Sequence, residues 1–257
     1  MTNLLEVESL RKSFGALEAV SDLTFQVREK EILGIIGPNG AGKTTAVNLI
    51  SGTDSVSGGR VLFDGREITG AAPHVLVKQG LTRTFQATLV YGERTVRENA
   101  LRGAFLHVYP GFWHTFLGTS KAREMREKTE HIVEELLDWL SLTPVADSIA
   151  SSLPYGYQKT LGMVIALASQ PRLVMLDEPA AGLSSEEADH VRDTIKRVRD
   201  SGISVVVIDH NMRFISGLCD RILVLHHGTE LAQGTPSEVM SNPDVINAYL
   251  GKGYAAA

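Results

Sequence analysis

The sequence predicts an α/β fold: a parallel sheet preceded by an antiparallel β-subdomain and interrupted by an inserted α-helical subdomain. Three observations carry that expectation. An apolar run, residues 32–36, breaks into a glycine-rich turn and then a helical pattern. Two later apolar runs, residues 173–176 and 205–208, stop at polar pairs, Asp177-Glu178 and Asp209-His210. Helical stretches separate the runs, the alternation expected of a parallel sheet.

The first run says most about chemistry. Gly37-Pro38-Asn39-Gly40-Ala41-Gly42-Lys43-Thr44-Thr45 fits the G-x-x-x-x-G-K-[ST] phosphate-binding pattern, set between a strand and a helix. Glycines let the backbone wrap closely, so several N–H groups converge on one anion. The N-terminus of the following helix adds positive partial charge. Lys43 is expected to reach the terminal phosphates, and the Thr44 hydroxyl to ligate Mg²⁺. The core is therefore expected to be a P-loop NTPase.

Composition narrows the function. The 257 residues are 43% hydrophobic and 21% charged, which suits one domain with a substantial core. A net charge of -5 lacks the basic excess of a general nucleic-acid binder, so no nucleic-acid partner is expected. The single cysteine, Cys219, excludes an intramolecular disulfide and reads as a small buried hydrophobe. Residues 1–11 carry Glu6 and Glu8 and do not read as a signal peptide. No apolar run approaches the ~20 residues of a membrane span. A membrane role would then be peripheral, through a partner.

Along the chain, residues 4–10 alternate as a half-buried strand, residues 11–15 read as a turn, and residues 20–27 as a second strand. Phe14 has two readings: a turn aromatic over the core edge, or a platform on which a base stacks. Residues 59–64 form a short strand, Asp64-Gly65 is a hairpin signal, and residues 66–69 return. Residues 76–80 look helical, and residues 81–86 form a strand ending at Gln86. That amide is either solvated or places its oxygen on a metal or water.

Residues 103–119 hold Phe105, His107, Tyr109, Phe112, Trp113, His114 and Phe116. The stretch is broken by Pro and Gly, too irregular for a clean helix, and suits an exposed docking surface. No Cys or carboxylate cluster accompanies its two histidines, which argues against a metal site. From Lys121 a helix carries Ile132, Val133, Leu136, Leu137 and Leu140 on one stripe, with Trp139 in the same core.

Leu153-Pro154-Tyr155-Gly156-Tyr157-Gln158 opens a helix over residues 159–168 and is a second potential anion site. Asp177 and Glu178 stand where a buried strand ends, and ligands of parallel sheets bind beyond such ends. Adjacent strand side chains point to opposite faces, so the natural division gives Asp177 to Mg²⁺ and Glu178 to an attacking water. Residues 184–199 read as a helix with Ser184 or Ser185 as N-cap. His210 is a third polar strand terminus, and convergence on one sheet edge favours a phosphate contact. A terminal hairpin and a helical tail over residues 236–250 complete the chain.

With Lys43, Gln86, Asp177-Glu178 and His210 assembled in this order, the chain resembles an ABC-transporter nucleotide-binding subunit. The likeness implies a RecA-like core over residues 1–86 and 160–257 of a single domain, with a helical and signature subdomain over residues 87–159. It implies that Phe14 stacks on adenine and that residues 37–45 and Gln86 bind ATP. Thr44, Gln86 and Asp177 would hold Mg²⁺, with Glu178, His210 and Lys43 catalytic. Leu153, Pro154, Tyr155, Gly156 and Tyr157 would form the signature that meets the ATP of an opposite subunit.

Arg83-Thr84-Phe85-Gln86, Leu153-Pro154-Tyr155-Gly156, residues 177–183 and the tail residues 242–251 are similar to the larger ATPase of branched-chain amino acid importers. The implied partners are integral-membrane permease subunits, a second ABC ATPase subunit and, indirectly, a solute-binding protein. The implied location is the cytoplasmic face of the inner or plasma membrane. The alternatives are a lipopolysaccharide-type export ATPase or a soluble non-transport ABC ATPase. The sequence departs from the broad family at Pro154, where that family has a Ser that contacts the γ-phosphate. Losing such a charge-assisted bond, worth roughly 1.5–3 kcal/mol, weakens ATP sandwiching by about tenfold to a hundredfold. Tyr157, Lys159-Thr160 and Ser184 also depart, so a weaker second half-site and a different ATPase as partner are expected.

Overall fold

Alternation along four buried strands builds two cores, one on each face of a single sheet. The computed structural model describes residues 2–84, 90–108 and 120–250. Strand β1 (Asn3–Phe14) pairs antiparallel with β2 (Leu17–Arg28) and with β4 (Gly58–Phe63), which pairs with β5 (Arg66–Glu67). The second sheet has six strands in the order β10-β9-β3-β8-β7-β6. Its members are β3 (Ile32–Ile36), β6 (Leu81–Arg83), β7 (Leu173–Asp177), β8 (Ser204–Ile208), β9 (Arg221–His226) and β10 (Thr229–Gly234). All its neighbours run parallel except the edge hairpin β9–β10.

Strands β3, β7 and β8 are buried at every position, as a sheet covered on both faces requires. Ile32, Ile36, Val174, Leu176, Val205 and Val207 join one core, against helices. Leu33, Ile35, Leu173, Met175, Val206 and Ile208 join the other, under the antiparallel sheet and helix α1 (Lys43–Ile50). Each such side chain, fully withdrawn from water, contributes roughly 1.5–3 kcal/mol. The consequence for function is positional: parallel β3, β6, β7 and β8 deliver their C-terminal ends to one rim.

The remaining helices are α2 (Pro73–Gln79), α3 (Val96–Val108), α4 (Ser120–Trp139), α5 (Tyr155–Leu167), α6 (Ser185–Asp200), α7 (Met212–Ser216), α8 (Pro236–Met240) and α9 (Pro243–Leu250). Val133, Leu137 and Leu140 of the expected stripe are buried, with Leu136 and Trp139 packed beside them. Ser184 caps α6 in a reciprocal box with Glu187. Asp64 and Gly65 both take left-handed backbone, φ 52° and 71°, as the expected hairpin turn needs.

Several boundaries differ from expectation. Of the stretch 11–15 only Gly15 lies in a turn: β1 runs on to Phe14, paired with Leu17, because β2 supplies ladder partners to the end. The return strand stops at Glu67. Residues 103–108 continue α3, against the expected irregular segment. Gly103 is no breaker there: a Cβ would lie 2.1 Å from the Ile165 carbonyl oxygen, so its absence lets α3 lie against α5. Residues 109–119 lie outside the described residues. The tail is two helices, since Pro243 opens a new one and cannot continue α8. Among the described residues, no helix is long and apolar enough to cross a membrane.

Candidate active site

Strand β3 ends at Ile36, and the loop that follows is shaped by glycine. Gly37 has φ 155°, and a Cβ there would lie 2.2 Å from the Leu225 carbonyl oxygen. Gly42, at φ 97°, occupies the N-cap of α1 and brings no capping side chain. With no acid in that first turn, the end of α1 keeps its positive polarity for an anion. The Lys43 Nζ folds back across the loop and donates to the carbonyls of Gly37 at 2.6 Å and Pro38 at 3.0 Å. Burial holds its pKa below the ordinary lysine value, opposed by the charges of Glu178, Asp177 and Asp209.

The loop opens into a cleft of about 460 Å³. Residues 39–45, Phe14, Ala19, Glu178 and His227 line it. Phe14 is 51% exposed at the tip of the β1–β2 hairpin, which favours the platform reading over the core-edge one. The Lys12 ammonium sits 4.7 Å from its ring centroid and is itself held by Asp54 at 2.7 Å and by the Ser55 carbonyl at 2.6 Å. That cation engages the phenyl ring, and the solvent-facing part remains available to a base.

Asp177 closes β7 and is 8% exposed. Its Oδ2 accepts from Arg83 Nη2 at 2.7 Å. Glu178 is already beyond the strand, in left-handed backbone at φ 47°, a conformation that costs a non-glycine residue roughly 1–2 kcal/mol. Bonds to its backbone hold it there. Its amide donates to the Ile208 carbonyl at 2.7 Å, and its carbonyl accepts from Lys159 Nζ at 3.1 Å. The turn therefore separates the two carboxylates, as their division of roles demands. Glu178 Oε1 stands 3.6 Å from His210 Nδ1, at the rim reached by β8. Asp209, 1% exposed, accepts from the Asn211 amide at 2.9 Å and from the Ala180 amide at 3.4 Å. It fixes the turns on either side.

Leu153, Pro154, Tyr155, Gly156 and Tyr157 lie elsewhere. Pro154 is the N-cap of α5 and supplies no side-chain cap. Pro154, Gly156 and Tyr157 line a separate pocket of about 320 Å³ with Leu140, Leu142 and His190. Tyr155 and Tyr157 are 47% and 44% exposed. The Tyr155 ring takes the Lys159 ammonium at 5.2 Å and packs against Gly182, where a Cβ would approach it to 3.1 Å. Glu187 lies beside Gly156. The Ser184 backbone and hydroxyl, with the Gly156 backbone, hold its pKa below the ordinary glutamate value. Gln86 lies outside the described residues; β6 ends at Arg83, short of the expected strand over 81–86, and is parallel to β7 on the same rim.

The model of the ABC transporter family matches residues 20–181. The chain belongs to the ABC transporter family. It is an ABC ATPase. The model of the branched-chain amino acid ATP-binding cassette transporter matches residues 230–255. The chain is 37% identical to the high-affinity branched-chain amino acid transport ATP-binding protein BraF of Pseudomonas aeruginosa, over 97% of this chain and 98% of that one. It is 36% identical to LivG of Escherichia coli, a protein of the same description, with the same coverage. An ATP-binding cassette of an ABC transporter, solved in its ADP conformation, superposes with a TM-score of 0.87 at 29% identity, covering 98% of this chain and all of that one.

Within this ABC ATPase, sequence reasoning singled out the phosphate loop, Glu178 and His210, and the structure brings them to one rim. It passed over Arg83, Asp209, Lys159 and Lys12 as individual residues. Arg83 carried one signal: a cation in a strand bound for a buried sheet needs a counter-ion. For the other three, nothing local in the sequence marks the contact.

Proposed function

We propose that this ABC ATPase powers an importer of branched-chain amino acids or a related small polar solute. The observation that carries the solute is the match of residues 230–255 to a module described for branched-chain amino acid transporters. That match favours import over a lipopolysaccharide-type exporter or a soluble ABC ATPase. The helical and signature subdomain, residues 87–159, is the proposed lever to the permease subunits, with residues 103–119 as its docking surface. The protein would sit at the cytoplasmic membrane face, paired with a second ATPase and served by a solute-binding protein.

At the site, ATP phosphates occupy the end of α1 and Lys43, while Phe14 takes the base. The donors near them fit Mg²⁺. The Thr44 hydroxyl and the Asp177 carboxylate are hard oxygen ligands. Among the described residues, no cluster of three or more His, Cys, Asp or Glu gathers a metal by itself, so phosphate oxygens and water would complete the shell. Gln86 is the third proposed ligand. When bound, Mg²⁺ would neutralise phosphate charge.

Glu178 orients a water in line with the γ-phosphorus. The new P–O bond forms to that water, the bond to the ADP leaving oxygen breaks, and the water's proton passes to Glu178 or to the departing phosphate. His210, 3.6 Å from Glu178, steadies the γ-phosphate and keeps the carboxylate aimed. Residues 153–157 of the opposite subunit close the site, so closure follows ATP and opening follows hydrolysis.

The test is reconstitution with permease subunits and partner ATPase in proteoliposomes. ATP-dependent accumulation of labelled leucine, isoleucine or valine, abolished by Glu178→Gln, is expected. No uptake of these solutes, with nucleic-acid-stimulated ATP hydrolysis instead, would return the chain to the soluble class.

A further inference from the structure

Arg83 stands at the end of β6, opposite Met175 in parallel register, and its guanidinium reaches the end of the neighbouring strand. Among the described residues it donates to three groups: Nη2 to Asp177 Oδ2 at 2.7 Å, and Nη1 to Asn48 Oδ1 at 2.6 Å and Ser51 Oγ at 3.2 Å. The Arg83 and Asp177 side chains are only 6% and 7% exposed. Asn48 belongs to α1, and Ser51 is its C-cap. One planar cation therefore ties the last residue of β7 to the helix whose first turn carries Lys43 and Thr44.

A buried ion pair is weak evidence for stability, since desolvation of both charges offsets their attraction. Its value here lies in geometry. A guanidinium presents donors in a fixed fork, so an Arg held by Asn48 and Ser51 fixes the plane and position of the carboxylate it grips. A carboxylate with one oxygen committed to Arg83 has the other left for the metal's water. The same bonds set the distance between Asp177 and the α1 hydroxyl Thr44, the two described residues that would share the ion. Outer partners of ligating side chains govern metal affinity in this way.

The structure assigns Arg83 the role of a positioning residue for the metal-carrying Asp177, braced by Asn48 and Ser51 on the phosphate-loop helix. This rests on the reading of Asp177 given above.

The test uses the full chain with AMP-PNP and titrates Mn²⁺ by electron paramagnetic resonance, with protein in excess over nucleotide. AMP-PNP affinity in EDTA and melting temperature are measured in parallel. Arg83→Lys keeps the charge and loses the fork; it is expected to weaken Mn²⁺ binding by about tenfold with metal-free nucleotide affinity unchanged. Asn48→Ala and Ser51→Ala, which spare the ion pair, are expected to shift Mn²⁺ the same way by less, and they carry the test if Arg83→Lys does not fold. Asp177→Asn separates the two readings. If it weakens Mn²⁺ while the Arg83, Asn48 and Ser51 variants bind as wild type, Arg83 only braces the fold and this assignment falls alone. If Asp177→Asn also binds Mn²⁺ as wild type, both readings fall together.

Discussion

Two helix starts in this protein look alike locally and differ in everything around them. Helices α1 and α5 both begin without a side-chain cap and without an acid in the first turn. At α1, glycine opens the approach, and Lys43 is folded over the loop by two carbonyls. At α5, Pro154 takes the cap, two half-exposed tyrosines flank Gly156, and the Glu187 carboxylate lies beside that glycine. A helix dipole supplies partial charge at both ends alike. The neighbouring full charges decide which end holds an anion unaided. The phosphate loop has its cation built in, whereas the turn at Gly156 has an anion beside it; in the proposed mechanism that turn completes a site only when brought against nucleotide held by another subunit.

The sharpest break of the comparison is in turnover. Glu178→Gln should keep ATP binding and cut phosphate release by at least about a hundredfold; near-normal release would remove Glu178 as catalyst. Lys43→Ala takes the cation from the α1 end. With charge-assisted bonds worth roughly 1.5–3 kcal/mol each, nucleotide affinity by calorimetry should fall on the order of a hundredfold, and an unchanged titration would contradict the assignment. Phe14→Ala should weaken ATP and GTP alike by about tenfold, since base stacking contributes roughly 1–3 kcal/mol regardless of sequence; loss of one nucleotide only would point to base-edge recognition instead. The smallest effect sharpens the other half. Pro154→Ser adds a hydroxyl at the signature, and in a Glu178→Gln background it should tighten ATP-dependent dimerisation by up to about tenfold, the low end of a charge-assisted bond worth roughly 1.5–3 kcal/mol. Sedimentation with and without ATP reads it.

What could be read in the sequence followed local grammar. The phosphate loop, the Asp64-Gly65 turn, the Ser184 cap and the buried runs of β3, β7 and β8 each rest on adjacent residues, and each stands in the structure. What escaped depends on contacts made across the chain. Arg83 meets Asp177 from 94 positions away. Lys159 grips the Glu178 carbonyl, and Asp209 joins two turns that no local pattern links. Gly103 read as a breaker because its neighbour, the Ile165 carbonyl, comes from another helix. The left-handed backbone of Glu178, which parts it from Asp177, has no signal in the sequence, where strand alternation is what separates the two carboxylates.

In the proposed mechanism a working site takes its phosphate loop from one subunit and its signature from another. Mixing two inactive chains tests it directly. Lys43→Ala keeps a sound signature; Gly156→Asp keeps a sound phosphate loop but sets a second carboxylate beside Glu187. Mixed, they can assemble one intact composite site, and ATP hydrolysis is predicted to rise well above the sum of the two alone. Gly156→Asp alone as active as the wild type, with no gain on mixing, would mean each subunit hydrolyses ATP within itself and would overturn the shared site.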